Sequence, residues 1–289
     1  GKSMLASRLP SILPPMDASE MLEVSTIASV AGELRSRGVS TVRPYRNPHH
    51  SASQAALIGG GHRARPGEMV LAHNGILFLD ELPEFQPRAL EALRQPMETG
   101  EAVVARANHH ITYPARFQLI AAMNPCKCGM AGEPGHVCRR GVKCATDYQA
   151  RISGPLLDRI DIQIELAAVR ASDLTLPPPA EGSADIAARV AGARAIQAER
   201  FMNLGQPALR TNAQLDGTLL EELARPDTRG LSLLQDAATA MNLSARGYHR
   251  VLRLARTLAD LDGNTTVTRL NVAEAISYRQ KLASFQLAA

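Results

Sequence analysis

Two places in the chain combine residue type and spacing in a way that points to phosphate chemistry. The first is Asp80-Glu81, which closes the apolar run Gly75-Ile76-Leu77-Phe78-Leu79. A strand ending in two carboxylates sets them where open α/β sheets bind ligands, beyond the carboxyl ends of the strands. Asp80 there can hold Mg2+ through its water shell, and Glu81 can polarise a water for attack. The second is Gly1-Lys2-Ser3, which matches the last three positions of G-x-x-x-x-G-K-[ST]. In that loop backbone N–H groups cradle phosphates, the lysine reaches the β and γ oxygens, and the hydroxyl holds Mg2+. Each signal is weak alone: a tripeptide recurs by chance, and an acidic pair at a strand end is as readily a solvated surface feature. Met4-Leu5-Ala6-Ser7-Arg8-Leu9 continues as a helix, as the loop requires. Together they predict an ATP site, with Gly1, Lys2, Ser3 and Asp80 on the nucleotide and Ser3 and Asp80 on Mg2+.

Three further residues fit that chemistry. Asn124 closes the next apolar run, Phe117 to Met123, and its amide can orient the attacking water. An Asn opening a turn before Pro125 is the plain alternative. Arg159, in Gly154-Pro155-Leu156-Leu157-Asp158-Arg159-Ile160-Asp161, and Arg246, in Leu243-Ser244-Ala245-Arg246, offer planar cations suited to charge developing on a γ-phosphate. An ion pair with Asp158 or Asp161 serves equally for the first, and a solvated helix position for the second.

Cys126, Cys128, Cys138 and Cys144 are all the cysteines of the chain and follow the pattern C-x-C-x9-C-x5-C. Four thiolates can close a tetrahedral zinc site. Gly129, Gly132 and Gly135 permit the tight path such a knuckle needs, and His136 is an alternative ligand. Four reduced thiols in an insertion are the plain reading. Basic residues gather in two further places. Arg43, Arg46, His49, His50, Arg63 and Arg65 flank Gly59-Gly60-Gly61, and Arg106, His109, His110 and Arg116 surround an expected β-hairpin. Arg63, Arg65, Arg106 and Arg116 are the candidates for gripping a nucleic-acid backbone.

These groups need a sheet and a helical partner to position them. Gly75 to Leu79, Phe117 to Met123 and Ile160 to Leu166 read as strands, continuous apolar runs of a length that suits a parallel sheet covered on both faces. Arg88 to Glu98 reads as a helix between strands, an alternation that indicates an α/β sheet. Composition shifts at Leu176-Pro177-Pro178-Pro179-Ala180-Glu181-Gly182-Ser183, a linker. Asp185 to Met202, a helix capped by Ser244 and running to Leu261, and Thr268 to Leu282 follow as helices. The expected division is an α/β core over residues 1–176 with a cysteine-rich insertion at 126–144, a linker at 177–183 and a helical lid over 184–289.

The chain has 289 residues, 45% hydrophobic and 21% charged, the balance of a soluble globular protein with room for two domains. No apolar run approaches the roughly 20 residues that cross a bilayer. With no secretion signal, a cytoplasmic location without membrane contact is expected. Net charge is +4, compatible with a polyanionic partner, while aromatics at 3% argue against stacking on bases. The absence of an initiator Met reads as a start partway through the loop, with its first strand and earlier glycine lying upstream. Phosphate grip by the chain as given is then expected to be weak.

Several strings resemble one family. Gly75-Ile-Leu-Phe-Leu-Asp-Glu-Leu-Pro-Glu-Phe85, Tyr45-Arg-Asn-Pro-His-His-Ser-Ala-Ser53, Ala122-Met-Asn-Pro-Cys126, Ser153-Gly-Pro-Leu-Leu-Asp-Arg-Ile-Asp-Ile162 and Leu243-Ser-Ala-Arg-Gly-Tyr-His-Arg-Val-Leu252 are similar to segments of the ComM (YifB) group of magnesium-chelatase-like AAA+ ATPases. The resemblance spans nearly the whole chain. It implies an AAA+ P-loop parallel sheet, here without its first strand, followed by a small all-helical lid. It implies a homo-hexameric ring with ATP at subunit interfaces. Lys2 and Ser3 look like Walker A residues, Asp80 and Glu81 like Walker B, and Asn124 like sensor 1. Arg159 looks like the arginine finger and Arg246 like sensor 2. Family members are associated with ATP-driven branch migration on single-stranded or branched DNA in natural transformation, and their full-length form carries an N-terminal domain resembling that of Lon proteases. A chelatase-type subunit driving metal insertion and a catalytically incomplete fragment are the alternatives.

Overall fold

The computed structural model describes residues 1–34, 38–60, 64–106, 109–129, 138, 143–167, 175, 177 and 180–279. In chain order the elements are α1 (Lys2–Arg8), α2 (Ala18–Ala31), β1 (Tyr45–Arg46), α3 (Gln54–Ile58), β2 (Gly59–Gly60), β3 (Arg65–Pro66), α4 (Glu68–Leu71), β4 (Ile76–Leu79), α5 (Pro87–Glu91), α6 (Arg94–Thr99), β5 (Glu101–Arg106), β6 (His109–Pro114), β7 (Gln118–Ala121), α7 (Lys143–Gln149), α8 (Gly154–Leu157), α9 (Ser183–Asn203), α10 (Gly217–Leu223), α11 (Thr228–Ala240), α12 (Ala245–Leu261) and α13 (Arg269–Ser277). Contacts divide the chain into two compact units. One holds Gly1–Pro10 and Pro15–Arg159; the other holds Ser11–Pro14, Ile160–Ala167 and the helical remainder.

The first unit is organised around β4. Its four residues are all buried, and it pairs in parallel with β1 on one side and β7 on the other. Burial on both faces accounts for the unbroken apolar run. Strand β1 stays short because Pro44 and Pro48 bracket it, and proline donates nothing to a ladder. Gly75 permits the close approach that starts β4: Ile76 N donates to Pro44 O at 2.8 Å, and a Cβ on Gly75 would lie 2.0 Å from that same oxygen. Leu57, Met69, Leu77, Leu79, Phe85 and Leu156 fill the core beneath the sheet. Strands β5 and β6 form the expected hairpin, antiparallel from Glu101↔Pro114 to Arg106↔His109.

The expected helix over Arg88 to Glu98 is two helices, broken at Ala92-Leu93. Pro96 is the reason. A mid-helix proline removes one hydrogen bond and clashes with the preceding turn, whereas the restart at Arg94 puts it in a first turn whose N–H groups are unpaired anyway.

Ile160 to Leu166 is not a strand. Among the described residues this segment joins no ladder, Gln163 N donating to Tyr278 O at 3.0 Å instead, and Ile162, Ile164 and Leu166 are 48%, 59% and 46% exposed. Apolar residue types suit a strand, but they do not report whether a neighbouring backbone is present to pair.

The second unit is helical, as composition predicts. Ser244 caps α12 by accepting from Gly247 N, and Gly263 follows its end at φ +72°. Thr268 caps α13; the expected continuation to Leu282 lies partly outside the described residues. Phe201, Leu220, Leu234, Val251, Ala255, Val272 and Ile276 form its core. Within it sits a charge cluster. Asp260, 1% exposed, accepts from Arg200, from Asn212 Nδ2 at 2.7 Å and from Arg256 Nε at 3.1 Å. Arg256 also donates to Asn264 O and Thr265 O, which fastens the loop after α12. Burial pushes the Asp260 carboxyl up, but hydrogen bonds from Arg200 and Asn212 and the Arg256 charge outweigh it and hold the group below its ordinary 3.8.

Asp260→Ala strands buried cations, and the unfolding free energy of the helical unit should fall by roughly 3–5 kcal/mol in urea titrations. Because the folded group titrates below its unfolded value, its contribution is complete above pH 3.8 and is lost as pH falls through the lower folded value. The variant should therefore lose less stability than the parent on acidification below about pH 4. A variant with the parent's urea midpoint and acid limb would show that the cluster is energetically neutral.

Candidate phosphate site

Strands β4 and β7 run out side by side. Ala122 N donates to Leu79 O at 2.9 Å and Leu82 N to Ala122 O at 2.9 Å, so the ladder continues just past both strand ends. That register places Asp80 and Asn124 at neighbouring exits. Helix α1 meets them there. Lys2 Nζ donates to Asn124 Oδ1 at 2.9 Å across 122 residues, and Ser3 Oγ donates to Asp80 Oδ2 at 2.5 Å across 77. Four of the expected site residues therefore converge in one place. The Ser3 hydroxyl and the Asp80 carboxylate are hard oxygen donors facing one another, a donor set that suits Mg2+.

Glu81 adopts the left-handed conformation, φ 54° and ψ 46°, which is uncommon for a residue with a side chain. Its carboxylate lies 3.1 Å from His50 Nδ1. Leu82 N and Glu84 N, the latter donating to Glu81 O at 2.7 Å, hold the turn that follows. Tyr148 on α7 lies under this turn; burial first, then the Glu84 and Glu81 charges, push its hydroxyl up to about 12.

The arginines divide. Arg159 is 5% exposed, pairs with Glu98 Oε1 at 2.8 Å and donates to Pro155 O at 2.6 Å. It faces the interior of its own unit rather than being offered to a neighbour. Arg246 is exposed in the first turn of α12, in the helical unit. Of the basic loop residues, Arg43 grips Glu20 through both terminal nitrogens, at 3.0 and 2.8 Å, and Arg46 grips Glu68 at 2.6 and 2.7 Å. Those two are cross-braces of the fold, a use that a count of positive charges does not reveal. Arg65 is exposed in β3. Arg106 ends β5 at the hairpin tip, while Arg116 is exposed at the hairpin's base, against Gly100. The six-pair ladder spans roughly 17 Å at about 3.3 Å per residue, with Arg106 at one end of it and Arg116 just beyond the other. Arg63 lies outside the described residues.

The cysteines converge. Their four sulfurs lie within 4.8 Å of one another, with Cys126 and Cys144 buried. Thiolates this close repel unless a cation sits among them, so the group can hold a metal ion. His136 lies outside the described residues. Sequence reasoning missed the partners that connect this cluster to the site. Gln149 Nε2 on α7 donates to Pro125 O at 2.9 Å, and Arg151 pairs with Glu84 at 3.2 Å. It also missed the role of His50, whose contact with Glu81 joins separate strand ends and leaves no mark in residue spacing.

The chain is similar to known proteins along nearly its whole length. The family model described as magnesium chelatase, subunit ChlI, matches residues 1–174, and that of its C-terminal domain matches residues 180–279. The chain belongs to this family. Its relatives include the competence protein ComM of Haemophilus influenzae, 43% identical over 96% of this chain and 53% of ComM, and YifB of Escherichia coli K12, 40% identical over 96% of this chain and 54% of YifB. The 38 kDa magnesium-chelatase subunit of Rhodobacter capsulatus is 25% identical over 93% of this chain and 73% of that protein. The chain spans about half the length of the ComM and YifB relatives. Its fold is the AAA+-like domain of this family followed by a helical C-terminal domain. Among the described residues no helix is long and apolar enough to cross a membrane.

Burial of Arg159 has a measurable consequence. Arg159→Ala leaves Glu98, 33% exposed, partly able to rehydrate, so the cost should be roughly 2 kcal/mol, below the 3–5 kcal/mol of a fully buried pair. Urea unfolding of the first unit reads this directly, and a midpoint equal to the parent's would assign the residue no structural role.

Proposed function

We propose that the protein is an ATP-hydrolysing motor acting on DNA. The observation that carries the ATPase reading is the pair of contacts Lys2–Asn124 and Ser3–Asp80, which assemble a phosphate site from three distant segments. In this reading Lys2 and the Gly1 backbone hold the β- and γ-phosphates. Ser3 and Asp80 hold Mg2+, which supplies charge neutralisation on the phosphate oxygens. Glu81 takes the proton of the attacking water and Asn124 orients that water. Arg246 reads the nucleotide from the helical lid, and Arg159 serves a neighbouring subunit's nucleotide in a hexameric ring once its pairing with Glu98 is exchanged for phosphate. The working division is a core over residues 1–176, a linker at 177–183 and a lid over 184–289.

The DNA reading rests on the ComM relative, whose name ties it to competence, on the exposed Arg65 and on the hairpin with Arg106 at its tip and Arg116 at its base. These arginines, with Arg63, would contact phosphates rather than bases. The magnesium-chelatase relative supports a second reading, ATP-driven metal insertion through partner subunits. In the full-length protein, Glu81→Gln should cut kcat for ATP hydrolysis by roughly 100-fold or more while ATP still binds, as loss of a general base does. Lys2→Ala should abolish binding. Stimulation of the parent's ATPase by DNA, reduced by Arg106→Glu, supports the DNA motor; no stimulation by any DNA favours the chelatase reading.

For the cysteine cluster the metal we assign is zinc, on the sulfur donor set and the number of ligands. Purified protein should carry one zinc per chain, and Cys138→Ser should lose it together with part of the thermal stability. Metal-free protein from zinc-replete cells would leave four thiols and no site.

A further inference from the structure

We propose that His73 and Gly100 are positioning residues that present Arg116 as a fixed contact for a nucleic-acid phosphate at the base of the β5–β6 hairpin. The inference deepens the DNA reading and rests on it. Arg116 is exposed just past the end of β6, and among the described residues no hydrogen bond or ion pair engages its guanidinium. Arg43, Arg46 and Arg159, by contrast, already face carboxylates.

The backbone of Arg116 is held on both sides. Its N–H donates to His73 Nδ1 at 3.0 Å, and its carbonyl accepts from Asn74 N at 2.8 Å. A ring nitrogen that accepts an N–H carries no proton, so the His73 proton lies on Nε2. That nitrogen donates to Glu23 Oε2 on α2 at 2.9 Å, and Asn74 Nδ2 donates to the same oxygen at 2.8 Å. Arg43 in turn donates to Asn74 O at 2.7 Å. His73 is 1% exposed, so this tie between α2 and the hairpin base is shielded from competing water.

The side chain is held as well. Gly100, at φ +70°, lies against the Arg116 stem, where a Cβ would sit 2.9 Å from Arg116 Cγ. Ala115 N donates to Gly100 O at 2.7 Å, which keeps the two segments at that approach. The backbone and stem of Arg116 are therefore fixed while the guanidinium is left open. An arginine that only braces the fold turns its charge onto a carboxylate, as Arg43 does onto Glu20. A rigid stem carrying an unpaired cation lowers the ordering cost of gripping an anion, and the planar fork suits phosphate oxygens.

The test uses the full-length protein and a labelled single-stranded oligonucleotide, with Kd measured over a range of salt. Arg116→Ala should weaken binding about tenfold and reduce the salt dependence by about one phosphate contact per engaged subunit. His73→Gln keeps an amide near the Nε2 position for Glu23 but removes the acceptor for Arg116 N, and should weaken binding about threefold. His73→Asn restores an acceptor at the Nδ1 position and gives up Glu23, so affinity should return towards the parent's although both variants melt earlier. Gly100→Ala, which displaces the stem from the other side, should also weaken binding about threefold and carries the test if a His73 variant does not fold. In the Arg116→Ala background neither His73→Gln nor Gly100→Ala should cost further affinity, since what they position is gone. Parent-like binding by His73→Gln, equal losses in His73→Gln and His73→Asn, or losses that add to that of Arg116→Ala would each overturn the positioning roles. If the parent binds DNA and Arg116→Ala binds it equally well, the hairpin base is no contact and this proposal alone fails. A parent that binds no DNA at any salt brings down the DNA reading first.

Discussion

The parallel ladder between β4 and β7 sets the geometry of the candidate phosphate site. Its register, Ile76↔Gln118 through Leu79↔Ala121, sends Asp80 and Asn124 out of the sheet side by side. A slip of one residue would separate the two polar exits. The register is fixed where the strands end, by Ala122 N donating to Leu79 O and Leu82 N donating to Ala122 O, both at 2.9 Å. The candidate site is thus positioned by backbone pairing of apolar residues. Lys2 and Ser3 then need only the first turn of α1 to reach the two exits.

The parts of this arrangement legible in the sequence are those where one physical cause leaves one pattern. Parallel burial leaves a continuous apolar run, and so β4 can be read directly, with Asp80 and Glu81 at its end; β7 is a strand as expected, ending before Asn124, but it is half-buried to exposed rather than covered on both faces. Capping leaves a hydroxyl before a helical period, and so Ser244 and Thr268 mark α12 and α13. Ile160 to Leu166 misleads because its apolar residues suit a strand while pairing depends on a neighbour elsewhere in the chain. Arg43 and Arg46 mislead for a related reason. Positive charge in a loop looks the same whether a carboxylate from a distant helix neutralises it or not, and here Glu20 and Glu68 do. His50 is illegible for the same cause: its partner, Glu81, is set by topology rather than by spacing.

Helix α7 gives the cysteine cluster a mechanical meaning. Cys126 follows Asn124 by two residues, and Cys144 sits on α7 with its sulfur in the same group. Gln149, on that helix, donates to Pro125 O, and Arg151 just beyond it reaches Glu84. The C-terminal end of the helix is therefore tied both to the exit of β7 and to the turn after Glu81. A metal ion binding the four sulfurs would close the remaining side of this frame. Its effect would be to hold Asn124 and the Glu81 turn at a fixed separation rather than to take part in chemistry.

The polar groups of the site share one further property, which is that they are paired with one another. Lys2 is on Asn124, Ser3 on Asp80, Glu81 on His50, and Arg159 on Glu98. Each of these pairs includes at least one group to which the ATPase reading gives a role. A triphosphate entering the site would exchange contacts rather than create them, so affinity comes from the difference between two sets of interactions. The exchange also has an order of ease. The Ser3–Asp80 and His50–Glu81 pairs are exposed and give way at small cost. Arg159, buried against Glu98, gives way only to a partner of comparable charge. In the ATPase reading, a gradation of this kind would let binding begin at the surface pairs and leave the buried arginine for a neighbouring subunit's phosphate.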